Sequence, residues 1–254
     1  MEVLAVIMAR GGSVGLPGKA LRDLLGRPVL AYTFDHVRES KLITRSVVSS
    51  DDHAILQLAH EAGFETIERP PELATATSAT DPVLRHAVQV LQGKTGYCPE
   101  VVVMLYGNVP LRRGQMIDRC IEMLDVTGAD SVQTIAPVGK MHPYWMFDLI
   151  DTQTMLDDGS DGHGWMGGRI RKHVPNSIFR RQDLPPLYGP TGAVYVMRTS
   201  VLLAAADSSD PHSFLGQDRR GLVVAPEDSV DIDTVRDLFL AEAMLRWEQS
   251  SAKR

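Results

Sequence analysis

The first apolar run of the sequence predicts a buried strand. Residues Val3–Met8 are all apolar and lead into a glycine-rich segment, a pattern typical of parallel strands that are covered on both faces. Arg45–Ser50, closed by two aspartates, and Val101–Tyr106 are predicted as further strands. Additional strands are predicted at 65–67, 131–136, 192–198 and 221–225.

Segments with apolar residues at helical spacing separate these predicted strands. Residues 28–39 place Leu30, Phe34 and Val37 on one side of a helix, so that side is expected to be buried. Other helices are predicted at 54–63, 81–91 and 114–127.

The last predicted helix, 234–249, is amphipathic. Its spacing predicts that Leu238, Ala241, Leu245 and Trp247 face inward.

The alternation of strands and helices predicts an α/β fold with a mostly parallel sheet covered by helices on both faces. The alternation stops at Pro137, and residues of about 137–190 are rich in glycine, proline, aromatic and basic residues without steady periodicity. We therefore predict one domain, 1–254, that carries an inserted arm at about 137–190.

Composition narrows the classes of function. Hydrophobic residues make up 44% and the net charge is −6, so a large core is expected and nucleic-acid binding is not. Two cysteines are too few for a disulfide framework or a zinc site. No apolar run reaches the ~18–20 residues of a membrane span and the start does not resemble a signal peptide, so a cytoplasmic protein without membrane attachment is predicted.

The segment after the first strand is the strongest candidate for chemistry. Ligands of parallel sheets bind beyond the carboxyl ends of the strands, and glycines let backbone N–H groups approach phosphate oxygens. Arg10 and Lys19 add positive charge, and both are predicted to be catalytic. The predicted nucleotide-binding residues here are Ala9, Arg10, Gly11, Gly12, Ser13, Gly15 and Lys19. A tight turn with solvated cations is the alternative.

Two other phosphate-binding motifs do not match this loop. A Walker loop needs a hydroxyl residue after its lysine, and here Ala20 follows Lys19. A dinucleotide fingerprint leads directly into a helix, whereas Leu16 and Pro17 interrupt that start.

A second cluster near the C-terminus predicts a metal site. Asp231 and Asp233 are two residues apart, so they point to the same side of an extended segment. Paired carboxylates suit Mg²⁺, which takes further oxygens from substrate phosphates. Helix capping by Asp233 or Thr234 is the alternative.

The segment 69–81 forms a third cluster. Arg69 has the charge to reach a phosphate or a base, and the Ser/Thr run, with Ser78 and Thr80, supplies hydrogen-bonding groups. We predict nucleotide contacts from these three residues. A plain loop leading into a capped helix is the alternative.

In this order, the three clusters resemble the acylneuraminate cytidylyltransferase (CMP-sialic acid synthetase) family. The first loop is similar to the family's A-R-G-G-S-K-G-L-P-G-K-N, residues 69–74 to R-P-x-E-L-A, and residues 228–234 to D-S-V-D-I-D-T. Weaker similarities occur at 109–112, 142–145, 181–185 and 192–195.

The resemblance implies transfer of CMP from CTP to an acidic nonulosonic sugar, with release of pyrophosphate. It implies Mg²⁺ on Asp231 and Asp233, and a homodimer joined by the 137–190 arm. Arg181 would reach the acidic sugar across the dimer. Together with Arg181, the residues implied for sugar binding are Tyr106, Asn108 and Tyr195.

Several positions depart from the family pattern. Val14 stands at a usual Lys, Ala20 at a usual Asn, and 106–109 at Gln-Pro-Thr-Ser. Arg22, Arg112 and Arg113 are candidates to replace the missing cation. The departures leave open a homologue with another nucleotide or sugar, or a nucleotide-binding protein without turnover. A glycosyltransferase is disfavoured because the middle of the sequence contains no D-x-D motif.

Overall fold

A computed structural model describes residues 1–12, 15–151, 154–156 and 165–251. Its helices are α1 (Val29–Glu39), α2 (His53–Glu61), α3 (Asp81–Thr95), α4 (Gly114–Thr127), α5 (Thr199–Ala204) and α6 (Val235–Ser251). Its strands are β1 (Val3–Met8), β2 (Asp23–Leu24), β3 (Arg27–Pro28), β4 (Arg45–Ser50), β5 (Glu65–Glu68), β6 (Val101–Tyr106), β7 (Ser131–Pro137), β8 (Phe147–Leu149), β9 (Thr154–Leu156), β10 (Trp165–Gly167), β11 (Ile170–Lys172), β12 (Tyr188–Arg198) and β13 (Arg219–Val223).

Seven of these strands form the central sheet in the order β13-β7-β12-β6-β1-β4-β5. β1 pairs in parallel with β4 and β6, β4 with β5, and β7 with β13. β12 runs antiparallel to β6. The carboxyl ends of β1 and β6 therefore meet at one edge of the sheet.

Both faces of the sheet are buried, as the continuous apolar run of β1 predicts. Alternate residues of a strand point to opposite faces. Ala5 and Ile7 pack in the cluster that contains residues of α1, α2 and α4, whereas Leu4 and Val6 pack in the cluster of α3 and α5. A polar residue at any of these four positions would face apolar side chains without a hydrogen-bonding partner.

Helix α6 forms a third, smaller core with the N-terminal loop. Ala241 is fully buried beside Leu16, and Leu238 and Leu245 pack against the same cluster. The predicted inward position of Trp247 is wrong, because its side chain is 72% exposed. At 3.6 residues per turn, Trp247 lies two residues beyond Leu245 and so points away from the contact that Leu245 makes.

The fold consists of two compact units. One comprises Met1–Ala136 and Pro190–Arg254, and the other Pro137–Gly189. The second unit contains two small antiparallel pairs, β8 with β11 and β9 with β10. Within the described part of the sequence, no helix has both the length and the apolar character to cross a membrane.

His36 on α1 makes the stability of the fold depend on pH. Burial, together with the nearby charges of Arg112 and Arg27, lowers the pKa of His36 to about 3. In the unfolded state, histidine titrates near a pKa of about 6.5. The unfolded state therefore binds the proton first, and the stability present above about pH 6.5 is lost as the pH falls towards 3.

We expect the free energy of unfolding to fall by up to about 1.4 kcal/mol per pH unit from this group below about pH 6. His36→Leu should flatten the slope, measured by urea denaturation between about pH 4.5 and 7.5. His60→Gln, an exposed position on α2, should keep the wild-type slope. An unchanged slope in His36→Leu would contradict the assignment.

Candidate active site

A cleft of about 250 Å³ opens at the carboxyl ends of β1 and β6. Loops that follow β1, β5 and β6 contribute to its walls, as expected for a ligand site of a parallel sheet. Eight of the residues predicted for binding line this cleft: Ala9, Arg10, Lys19, Arg69, Ser78, Thr80, Tyr106 and Asn108.

The glycines of the first loop permit close packing. The backbone N–H of Gly11 donates to the Asp51 carboxylate at 3.1 Å. A Cβ on Gly11 would lie 2.5 Å from Asp52 Oδ2, and one on Gly15 would lie 2.5 Å from the carbonyl oxygen of Asp233. Neither glycine lines the cleft, and neither does Gly12. Ser13 and Val14 lie outside the described residues.

Lys19 links the first loop to the second predicted cluster. Gly18 adopts a left-handed conformation with φ 64° and turns the backbone into a short 3-10 helix that begins at Lys19. The Lys19 ammonium lies 2.6 Å from Asp233 Oδ1, and its side chain is 18% exposed. One cation of the cleft therefore contacts one of the two predicted metal ligands, although 214 residues separate them.

Asn108 holds the other predicted ligand. Its side-chain amide donates to the Asp231 carboxylate and, at 3.0 Å, to the carbonyl of Ile232. The N–H of Ile232 donates back to the carbonyl of Asn108 at 2.9 Å. These bonds fix the segment 231–232 against the end of β6.

The Asp231 carboxylate is partly buried in a site of mixed charge. Burial and the charge of Asp233 together raise the pKa of Asp231 to about 6, although Lys19 and Arg112 oppose the shift. A carboxylate with a raised pKa gains from any additional cation placed beside it. The pair of aspartates thus favours a bound cation.

Neither the Asp231 nor the Asp233 side chain caps helix α6. Thr234 precedes α6, and the Asp237 carboxylate accepts from the N–H of Thr234 at 2.8 Å. The Thr234 hydroxyl accepts from the N–H of Asp237 at 3.4 Å. This reciprocal pair is a capping box, so the alternative role considered for Asp233 is filled by its neighbours.

Two arginines also line the cleft. Arg69 is 6% exposed, and its guanidinium donates to the Ser49 carbonyl at 2.7 Å and to the Ser49 hydroxyl at 3.2 Å. Burial lowers the pKa of Arg69, and Asp51 partly offsets this effect. Arg10 donates to the carbonyl of Thr75 at 3.2 Å. Both side chains keep further N–H groups, since a guanidinium carries about five.

The Ser/Thr segment shapes the mouth of the cleft. The Ser78 hydroxyl accepts from the N–H of Thr75 at 3.0 Å and donates to the Glu72 carbonyl at 3.1 Å. Thr80 and Tyr106 both line the cleft. Burial raises the pKa of Tyr106 to about 12, so its hydroxyl stays protonated and remains a donor.

A second groove, of about 450 Å³, adjoins the cleft and shares Ser78, Ala79, Thr80 and Tyr106 with it. Tyr195 lines this groove, as do four residues that the sequence did not indicate: Gln133, His212, Phe214 and Arg219. These four belong to no recognisable motif, and only the pairing of β7 with β13 and the loop before β13 bring them together.

None of the three cations considered as replacements for the loop lysine lines the cleft. Arg22 donates to the carbonyl of Pro17, and Arg113 contacts Asp228 and Glu248. Arg112 is 2% exposed and donates to the Tyr106 carbonyl at 2.9 Å. Over the described ranges, the cations that line the cleft are Arg10, Lys19 and Arg69.

Arg181 is placed in the other compact unit. It begins the 3-10 helix Arg181–Asp183 and is exposed to solvent. Its implied contact with the sugar remains a prediction.

Comparison with known proteins assigns the family. A family model described as Cytidylyltransferase matches residues 4–159, more than half of the sequence. The chain belongs to the cytidylyltransferase family. This finding confirms the resemblance that the three sequence clusters predicted.

Characterised relatives of this cytidylyltransferase-family protein act on acidic sugars, according to their names. It is 28% identical over 242 residues to an N-acylneuraminate cytidylyltransferase of Streptococcus agalactiae, an alignment that covers 94% of this protein and 52% of the relative. The protein thus spans about half the length of that relative. It is 26% identical over 264 residues to a pseudaminic acid cytidylyltransferase of Campylobacter jejuni, covering 99% and 100% of the two sequences.

A solved structure confirms the fold class. CMP:2-keto-3-deoxy-manno-octonic acid synthetase, complexed with CTP, superposes with a TM-score of 0.67 at 18% identity, covering 98% of this protein and 100% of that one. The mostly parallel sheet flanked by helices, predicted from the alternation of strands and helices, is therefore correct.

Proposed function

We propose that the protein transfers CMP from CTP to an acidic nonulosonic sugar and releases pyrophosphate. The single observation that carries this proposal is the convergence of Arg10, Lys19 and Arg69 on a cleft beside two carboxylates, in a protein of net charge −6. Such a local excess of cations in a negative protein favours a polyanion. The named relatives, which use acidic sugars, support the acceptor class.

The donor triphosphate is placed in the cleft in this proposal. Lys19 and Arg10 neutralise the phosphate oxygens, and Arg69 directs its remaining N–H groups at the nucleotide. In phosphoryl transfer the protein contributes mainly positioning and neutralisation of charge on these oxygens. Fixed donors such as the Arg69 guanidinium, bonded to Ser49, act without reorganisation.

The acceptor lies in the adjoining groove. Its anomeric hydroxyl oxygen attacks the α-phosphorus and gives up its proton to solvent water, while the bond from the α-phosphorus to the bridging oxygen breaks and pyrophosphate leaves. Tyr106 lines both the cleft and the groove, so its protonated hydroxyl is available where the two substrates meet. Tyr195 lines the groove alone.

Mg²⁺ fits the donor set of Asp231 and Asp233. Both supply hard carboxylate oxygens, and the raised pKa of Asp231 is typical of a carboxylate that gains from a nearby cation. In the described part of the sequence, no group of three His, Cys, Asp or Glu side chains is placed to hold a metal, so phosphate oxygens and waters would complete the shell. When bound, the ion supplies charge stabilisation at the phosphates.

The proposed assembly is a homodimer formed through the unit Pro137–Gly189. Phe147, Ile170 and Phe179 of this unit are 54%, 61% and 91% exposed, and exposed apolar groups of this size favour a protein contact. Light scattering should give twice the mass of one protomer; a monomer at micromolar concentration would refute the dimer.

Because the reaction consumes CTP, we place the protein in the cytoplasm.

Release of pyrophosphate tests the function directly. The purified protein is incubated with Mg²⁺, each of the four nucleoside triphosphates and a panel of acidic sugars that includes N-acetylneuraminate, pseudaminate, N,N'-diacetyllegionaminate and 3-deoxy-manno-octulosonate. We expect release with CTP and at least one of these sugars, and the CMP-sugar in equal amount by mass spectrometry. If no combination yields pyrophosphate, the proposal fails and nucleotide binding without turnover takes its place.

A further inference from the structure

The groove beside the cleft is lined by residues from both ends of strands of the central sheet. Tyr106 is the last residue of β6 and marks what we name the upper end. Arg219 is the first residue of β13, pairs with Ser131 at the start of β7, and marks the lower end. Strands rise by about 3.3 Å per residue, so the groove offers a path for a ligand longer than a single sugar ring.

Arg219 is held rigidly at this lower end. Its Nε donates to the carbonyl of Gly216 at 2.7 Å, and its Nη2 donates to the carbonyl of His212 at 3.0 Å. The guanidinium therefore has a fixed orientation, with N–H donors left over for a ligand.

The loop that holds Arg219 is itself fixed. The Asp130 carboxylate accepts from the N–H of Gln217 at 2.7 Å and from the N–H of Asp218 at 3.0 Å. Gly216 has φ 74°, and a Cβ there would lie 2.3 Å from the Cβ of Asp130. A donor on such a support loses little entropy when it binds a ligand.

The carboxylates near the groove are paired with other arginines, so the Arg219 guanidinium can bind an acceptor. Asp81 lines the groove but is paired with Arg85, and Asp218 is paired with Arg220. Over the described ranges, the hydrogen bonds of the Arg219 side chain go to carbonyl oxygens and not to a carboxylate.

We propose that Arg219 determines acceptor specificity, binding with Gln133 the oxygen atoms at the end of the sugar farthest from the nucleotide. This inference rests on the proposed function, because the anomeric hydroxyl must lie beside the cleft and the rest of the acceptor must then extend along the groove. Phe214 and Leu215 also line this end, where they suit the methyl groups of acyl substituents. The substrate class is therefore an extended sugar acid that carries acylamino oxygens at its distal end.

Kinetics of Arg219→Gln and Arg219→Lys test the inference. With the preferred acylamino nonulosonate, Arg219→Gln should raise the sugar KM about 10- to 100-fold, the value of one charge-assisted hydrogen bond. The kcat and the KM for CTP should change less than about twofold, because the lost contact is remote from the reacting atoms. With 3-deoxy-manno-octulosonate, which lacks acylamino groups, both variants should behave as wild type. Arg219→Lys should give an intermediate KM.

Arg220→Gln is the matched control. Arg220 is the next residue of the same strand, is paired with Asp218, and does not line the groove, so its kinetics should equal wild type. An unchanged sugar KM in Arg219→Gln would overturn the inference while leaving the proposed function intact. An equal rise of the sugar KM with the acylamino nonulosonate and with 3-deoxy-manno-octulosonate, together with a lower Tm, would also overturn the inference. Arg219 would then only support its loop.

Equilibrium binding separates the two proposals. Calorimetry with the acylamino sugars in the presence of CMP requires no turnover. If wild type releases no pyrophosphate but Arg219→Gln still weakens sugar binding about tenfold or more, the groove assignment stands and the transfer reaction fails. Equal binding by both proteins would overturn the groove assignment.

Discussion

Asp231→Asn should lower the rate of pyrophosphate release about 10²- to 10³-fold, the loss expected when one preorganised charged group is removed from a phosphoryl-transfer site. The carboxylate is partly buried, its pKa is raised to about 6, and it is held by Asn108. Asparagine keeps the shape and can still accept from the Asn108 amide, but it removes the charge that we propose for Mg²⁺. The measurement is a coupled pyrophosphate assay over a titration of Mg²⁺.

A control in the same motif is available. Asp228 contacts Arg113 at 3.1 Å rather than the cleft, so Asp228→Asn should retain activity within about threefold, since an exposed ion pair contributes little. The Tm of Asp231→Asn at about pH 7 should not be lower than that of wild type, because the substitution removes a partly buried charge whose pKa is raised in the folded state. Full activity in Asp231→Asn would exclude this carboxylate from the metal site.

Lys19→Met should reduce kcat/KM for CTP about 10²-fold or more. Lys19 is largely shielded from solvent, lines the cleft, and lies 2.6 Å from Asp233. Methionine retains most of the apolar stem and removes the charge that we assign to the phosphates. Steady-state kinetics at saturating sugar give the effect on the nucleotide.

Lys41→Met is the corresponding surface control. Lys41 is exposed and lies after α1, so its substitution should leave both kcat and KM unchanged. If Lys19→Met changed the KM for the sugar and not for CTP, the assignment of the first loop to the triphosphate would be wrong.

The motif departures acquire a physical meaning in the structure. Ala20 is 3% exposed and lines the cleft, so the position of the family's asparagine presents an apolar methyl group. Gly107 packs where a Cβ would lie 2.7 Å from Leu30 Cδ1, so the altered segment 106–109 is adapted to its surroundings. These two positions therefore contact a ligand differently from the family pattern. Three cations still line the cleft.

Much of the cleft could be predicted because its parts follow strand ends. Arg10 and Lys19 follow β1, Arg69 follows β5, and Asn108 follows β6, and parallel strands bring their carboxyl ends to one edge. The groove was harder to predict from the sequence. Arg219 lies two residues before the predicted strand 221–225, in a segment whose glycine and arginines give no clear alternation, and its partners come from distant loops.

The sequence by itself determined the class of the fold, the glycine-rich and cationic character of the first loop and the spacing of Asp231 and Asp233, because periodicity, glycine content and local charge are properties of neighbouring residues. Only the tertiary structure decided which charges meet. It joined Lys19 to Asp233 across 214 residues, assigned capping to Thr234 and Asp237, and placed Arg219 in the groove. Contacts between distant segments depend on packing and strand register, which local pattern does not encode.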